Sequence, residues 1–193
     1  MLKLPKKIVI FDLECTTWDG AAERNWSFPG EHREIVQVGA ALVETKNLTE
    51  VASMEFWVKP KINPVLSQYF VNLTGIRQEE IDEKGVDFPI MLKDFFCFCC
   101  DFQLYCFDSK VDNSRLFDRD VLVENCKSFG IDFPFEMGRF HNVNEIFHQH
   151  NIEIKQSGTA PEAFGIKIPA RPHNALSDVR GLIIGLRALQ SLK

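Results

Sequence analysis

The sequence predicts an α/β fold in which three antiparallel strands are followed by helices and a further short strand. Three observations predict it. The apolar runs Ile8–Phe11 and Ile35–Val43 have the length and continuity of buried strands. Met54–Val58 reads as a third strand, ended by Pro60, and the short connections make the three an antiparallel meander. At the far end, Ala175, Val179, Leu182, Leu186 and Leu189 recur at alternating four- and three-residue steps, the spacing of one helical face.

The elements follow in order. A polar loop at 15–33 carries Trp18, Trp26 and Phe28 after the first strand. After the third, Thr74 is placed to cap a short helix that Gly85 stops. Pro89 opens a helix running to Phe102, and Leu104–Phe107 is a short strand. Residues 118–129 read as helix with Gly130 as the left-handed stop, and 143–150 as another short helix. Neither an internal repeat nor a linker interrupts the chain, so residues 1–193 are expected to form one domain.

Composition narrows the function classes. No run approaches 18 apolar residues, so no membrane span is expected. The start, MLKLPKK, lacks the apolar stretch of a signal peptide, which predicts an intracellular, cytoplasmic protein (the nucleus remaining open) whose six cysteines are thiols. Cys97, Cys99 and Cys100 lack a second pair at zinc spacing and read as small buried apolar residues. Most of the 17 Phe read as core. A net charge of −5 argues against broad binding to duplex nucleic acid, but not against an enzyme that grips one strand end through metal ions.

The residues that carry chemistry sit at the two ends of the chain. The first strand closes in Phe-Asp-Leu-Glu-Cys-Thr, and residues two apart on a strand face the same way, so Asp12 and Glu14 lie side by side. Unpaired carboxylates on a central strand are costly, and a divalent cation would offset that cost. Two solvated acids at a strand end are the plainer alternative. The last helix opens in Pro-His-Asn-Ala-Leu-Ser-Asp. In a continuous helix the five-residue step would turn His173 about 140° away from Asp178. Pro169 and Pro172 instead imply an irregular approach, from which His173 folds back toward Asp178. A surface His beside a first-turn Asp is the alternative there. A two-metal site needs a further acid, and Asp101, Asp108, Asp112, Asp118 and Asp120 all lie in the right region. Asp118 at a helix start also reads as a simple N-cap.

Taken together, these pieces resemble the DEDDh exonucleases, the ribonuclease H-like 3′→5′ exonuclease superfamily that includes ribonuclease T and the proofreading subunit of bacterial DNA polymerase. FDLECTT, followed by EIVQVGAALVE, is similar to the first motif, and HNALSD matches the last: His, any residue, Ala, two residues, Asp. NPVLSQYFVNLTGI is similar to the segment before the middle motif in the histone-mRNA and small-RNA exonuclease branch, and SGTAPEAFGI resembles the segment before the last motif. The resemblance spans residues 7–190. It carries Asp12, Glu14 and Asp178 onto the metal-binding acids and His173 onto the histidine. Around the middle acid, Ser114, Asp118, Leu122 and Cys126 keep the family spacing, but the aromatic and Gly between Ser and Asp are missing. Asp108 and Asp112 therefore stay in contention. The long 18–33 loop is a second departure.

The resemblance implies a mixed five-stranded sheet flanked by helices. It implies a metal-dependent 3′→5′ exonuclease that acts on the 3′ end of single-stranded RNA or DNA and releases nucleoside 5′-monophosphates. Asp12, Glu14, Asp118 and Asp178 would hold two Mg²⁺ or Mn²⁺ ions, with His173 as general base. The alternatives are a catalytically retired nucleic-acid-binding or scaffolding protein on the same fold, and a proofreading subunit bound to a partner.

Overall fold

The computed structural model describes residues 2–111, 115–167 and 173–192. Five strands form one sheet in the order β3-β2-β1-β4-β5. Strands β1 (Lys7–Cys15), β2 (Ile35–Glu44) and β3 (Thr49–Trp57) are the antiparallel meander. Strands β4 (Gln103–Cys106) and β5 (Phe140–Asn142) extend it in parallel with β1. Among the described residues six α-helices accompany them: α1 (Gln68–Thr74), α2 (Gln78–Lys84), α3 (Phe88–Cys99), α4 (Phe117–Phe129), α5 (Asn144–His148) and α6 (Ala175–Ser191). None of the helices among the described residues is long and apolar enough to cross a membrane.

The period-2 alternation of β1 feeds two cores. Val9, Phe11, Leu13 and Cys15 point into a Phe-rich core built with α3 and α4, which includes Met91, Phe95, Leu122 and Phe140. Ile8 and Ile10 point the other way, into a core with Val179, Leu182 and Leu186 of α6. Asp12 and Glu14 continue the face of Ile8 and Ile10, beyond the point where α6 begins.

Several elements differ from the sequence expectation. Strand β3 starts at Thr49, because pairing with β2 extends it into a polar stretch with no apolar signal. One helix was expected around 74–85, but there are two. Thr74 ends α1 instead of capping its successor; its hydroxyl donates to the Phe70 carbonyl and accepts the Ile76 N–H. Ser67 caps α1, Gly75 stops it in the left-handed region, and Gly85 stops α2 as expected. Helix α3 ends at Cys99, short of Phe102, and α5 is shorter than 143–150. Strand β5 is three residues long, too short to leave a periodic signature. In the cysteine cluster only Cys99 is buried; Cys97 and Cys100 are exposed thiols. Asp112, Ser114, Pro169 and Pro172 lie outside the described residues.

Candidate active site

The site forms where the C-terminal ends of the parallel strands β1 and β4 meet the start of α6, the usual place for ligands in α/β sheets. Local chemistry brings α6 there. Gly39 sits opposite Asp12 in the β1–β2 ladder. A Cβ on Gly39 would lie 2.2 Å from the backbone nitrogen of Leu176, so only glycine lets the helix start rest directly on the sheet. The buried Gln37 side chain orients that helix start: its Oε1 accepts the Ala175 N–H at 3.0 Å, and its Nε2 donates to Glu55 at 2.9 Å. Asn174 caps α6 by accepting the Ser177 N–H at 3.0 Å. His173 precedes the cap with φ +63°, a left-handed turn that takes it out of the helical path. The 140° separation that a continuous helix would impose is thereby removed.

Asp12, Glu14, Asp118, His173 and Asp178 all line a single cleft of ≈ 490 Å³, together with Phe117, Lys155 and Ser157. One donor atom each from Glu14, His173 and Asp178 lie within 4.8 Å of one another. Asp12, Asp118 and Asp178 are buried, and none of the four acids has an ion-pair partner among the described residues. Burial first, and then mutual repulsion, push the carboxyl groups of Asp12, Glu14 and Asp118 well above the usual range. Burial raises Asp178 to about 6, against the lowering effects of the Ser157 hydroxyl and the His173 backbone N–H. Burial also lowers the His173 pKa, which favours the neutral ring.

The donor set fits hard divalent cations. Asp12, Glu14, Asp118 and Asp178 converge with no ion-pair partner among the described residues, although Lys155 also lines the cleft, and Asp178 Oδ1 is buried with no hydrogen-bond partner among the described residues. Gly158 leaves the space this oxygen faces, since a Cβ there would lie 2.3 Å from it.

Asp118 and Asp108 both reach the cleft, but in different states. Asp118 is the second residue of α4, whose N-cap position is Leu116, so the N-cap alternative does not describe it. The capping contact belongs to Asp108: its Oδ2 accepts the Phe117 N–H at 3.3 Å and its Oδ1 the Lys110 N–H at 2.9 Å. Asp101 and Asp120 do not line the cleft, and Asp120 pairs with Arg119. In the aromatic loop, Trp26 packs on its own domain. Its ring lies 5.5 Å from Phe117, its Nε1 donates to the Thr16 carbonyl, and Arg33 covers both rings.

Four residues were given no role by the sequence reading, although Ser157 and Glu34 open the segments SGTAPEAFGI and EIVQVGAALVE. Ser157 donates to Asp178 Oδ2 at 3.2 Å from a loop remote in sequence. Asn142 and Asn144 tie down the 108–110 turn through its carbonyls. Glu34, buried at the start of β2, accepts the N–H groups of Lys61, Ile62 and Asn63 at 2.6–2.7 Å and clamps that segment beside the site.

An exonuclease family model of the ribonuclease T type matches residues 9–184. The chain belongs to this exonuclease family. The 3′-5′ exoribonuclease 1 of Rattus norvegicus is 26% identical over 196 residues, covering 95% of this chain and 53% of that protein. ERI1 exoribonuclease 2 of Homo sapiens is 30% identical over 88 residues, covering 46% of this chain and 12% of that protein. The chain thus spans about half the length of the exoribonuclease 1 it matches. Among solved structures, a 3′-exonuclease recognising the 3′ end of a histone mRNA stem-loop superposes with TM-score 0.76 at 24% identity, covering 96% of this chain and 64% of that one. The nuclease domain of 3′hExo, a DEDDh family member bound to rAMP, gives 0.75 at 22%, covering 99% and 95%. Exonuclease I of E. coli with single-stranded DNA gives 0.72 at 13%, covering 97% and 41%. These likenesses agree with the ribonuclease H-like sheet and with the histone-mRNA branch that the motifs resemble.

Proposed function

We propose that this chain is a metal-dependent 3′→5′ exonuclease that removes nucleoside 5′-monophosphates from the 3′ end of single-stranded RNA or DNA. The observation that carries the reading is the convergence of Asp12, Glu14, Asp118, Asp178 and His173 in a single cleft, the four acids having no ion-pair partner and Asp178 Oδ1 no hydrogen bond among the described residues. The exonuclease family and the exoribonuclease relatives point the same way.

Asp12, Glu14, Asp118 and Asp178 would hold two Mg²⁺ or Mn²⁺ ions, the hard cations that carboxylates favour. When bound, such ions make water more acidic and stabilise the charge that develops on the leaving 3′ oxygen. His173 receives the proton of the attacking water on a ring nitrogen. Its lowered pKa keeps that nitrogen free at neutral pH. The attacking oxygen forms a bond to phosphorus as the bond to the 3′ oxygen of the preceding nucleotide breaks. Ser157 and the start of α6 hold Asp178 in place. The β1 ladder fixes the separation of Asp12 and Glu14.

The test is incubation of the pure protein with a 5′-labelled single-stranded oligonucleotide, with and without Mg²⁺. The expected result is a ladder shortened one nucleotide at a time, with 5′-monophosphates released and the reaction abolished by EDTA. An intact oligonucleotide under both conditions would overturn the reading in favour of a retired binding protein.

A further inference from the structure

A second groove, of ≈ 540 Å³, opens beside the cleft. Ala22, Asp108, Ser109 and Phe117 line both, so the two spaces adjoin. Their charge balances differ. Acids dominate the cleft, where Lys155 is the cation; the groove is lined by Arg33, Lys110 and Arg115, the last two exposed and in no ion pair among the described residues, against Asp108 and Asp120. Of the two acids in the groove, Asp120 pairs with Arg119, while Asp108 accepts two backbone N–H groups and keeps its charge, leaving the cations in excess. The groove therefore presents net positive charge on a protein of net charge −5.

The groove is also held in shape. Its far wall is the 18–33 loop, in which Arg33 lies over Trp26 and Phe117 at 5.4 and 5.2 Å and pairs with Glu124 of α4. Its near wall is the 108–110 turn, tied by Asn142 and Asn144. A braced groove with an excess of cations, beside an acidic cleft, suits a polyanion whose end enters the cleft.

We propose that this groove is the track for the nucleotides on the 5′ side of the one being removed, with Lys110 and Arg115 neutralising their phosphates. The proposal rests on the exonuclease reading of the cleft. The 18–33 loop, a departure from the family pattern, would thus be the wall that keeps a single strand on its path.

The experiment compares wild type with Lys110→Ala/Arg115→Ala on two substrates. One is a single-stranded 10-mer. The other is the p-nitrophenyl ester of thymidine 5′-monophosphate, in which nitrophenolate replaces the upstream chain as leaving group. The variant is expected to raise KM for the 10-mer at least about tenfold and leave ester hydrolysis within about twofold. The slope of log affinity against log salt should flatten by about 1.4, two phosphate contacts at about 0.7 each for single strands. Lys110→Arg/Arg115→Lys should restore the wild-type KM. An unchanged KM and salt slope overturns the track. So does an equal loss on both substrates, which would place the cations in the service of the cleft. If wild type hydrolyses neither substrate, the exonuclease reading fails. Fluorescence anisotropy of the labelled 10-mer then decides the groove alone, through the same difference in salt slope.

Discussion

Asp178 concentrates the conflict in this site: a buried carboxylate with its pKa raised to about 6, its Oδ2 accepting from Ser157 and its buried Oδ1 without a hydrogen-bond partner among the described residues. A raised folded pKa means that the native state binds the proton more tightly than the unfolded chain, where Asp titrates near 3.9. Native stability from this group is full below about pH 4 and is lost as pH rises through about 6. Asp12, Glu14 and Asp118 shift in the same direction. In EDTA, therefore, Asp12→Asn should gain thermal stability over wild type, and the gain should widen as pH rises above about 4, where the unfolded carboxyl ionises. Millimolar Mn²⁺ should raise the wild-type Tm by binding the native state, with a smaller rise in Asp12→Asn. A wild-type melting curve that ignores Mn²⁺ would count against the metal site. His173 gives the complementary result. His173→Ala should lose roughly 10²–10⁴ in kcat while keeping the Mn²⁺ response. Because burial lowers the His173 pKa, the acid limb of the wild-type rate profile should fall below the ordinary histidine value of about 6.5.

At the scale of elements, two helix starts aim the side chains, and each can be tested alone. Helix α6 rests on the sheet only because Gly39 has no side chain. In Gly39→Ala the added methyl meets backbone, which cannot move aside as a flexible side chain can. Denaturant titration should show a loss of about 3 kcal/mol or more. Helix α4 distinguishes Asp118 from Asp108. Asp118→Asn removes a repelled charge and should leave metal-free stability unchanged or higher, while abolishing most activity. Asp108→Ala removes the acceptor for the Phe117 N–H and should cost about 0.5–2 kcal/mol, whereas Asp108→Asn keeps an acceptor and most of the activity. An active Asp118→Asn beside a dead Asp108→Asn would move the fourth acid to Asp108.

For the molecule as a whole, the sheet separates two cores, and the site lies outside both at one end of the central strand. Phe95 is fully buried, 5.4 Å from Phe11 and 5.6 Å from Phe135, whereas the neighbouring Phe96 is exposed on α3. Phe95→Ala should cost about 3–5 kcal/mol and Phe96→Ala far less, with the Mn²⁺ shift retained in both. Loss of the metal response in Phe95→Ala, measured well below its Tm, would show that the site depends on the packing of the far core.

Much of the site was legible because its acids sit on strongly patterned elements. Asp12 and Glu14 interrupt an apolar strand, and HNALSD opens a helix whose apolar face is regular, so both the abnormal residues and their elements stand out against the pattern. Asp118 remained one acid among several, since a helix start that binds metal and one that merely caps have the same composition. The folded chain gives the two acids of the cleft different surroundings: Asp108 accepts two backbone N–H groups, whereas Asp118 is buried with no ion-pair partner among the described residues. The short elements escaped for a similar reason. Strand β5 and helix α1 are too brief to repeat a period, and they exist because a neighbouring strand or a cap satisfies them. The sequence by itself determined the strand order of the meander, the last helix and the residue types of the cleft, which depend on local periodicity and charge. Tertiary structure alone decided the long-range contacts that shape the site: Ser157 on Asp178, Gln37 on the start of α6 at Ala175, Arg33 between Trp26 and α4. Those contacts join residues far apart in the chain, and their free energy appears only once the sheet has brought them together.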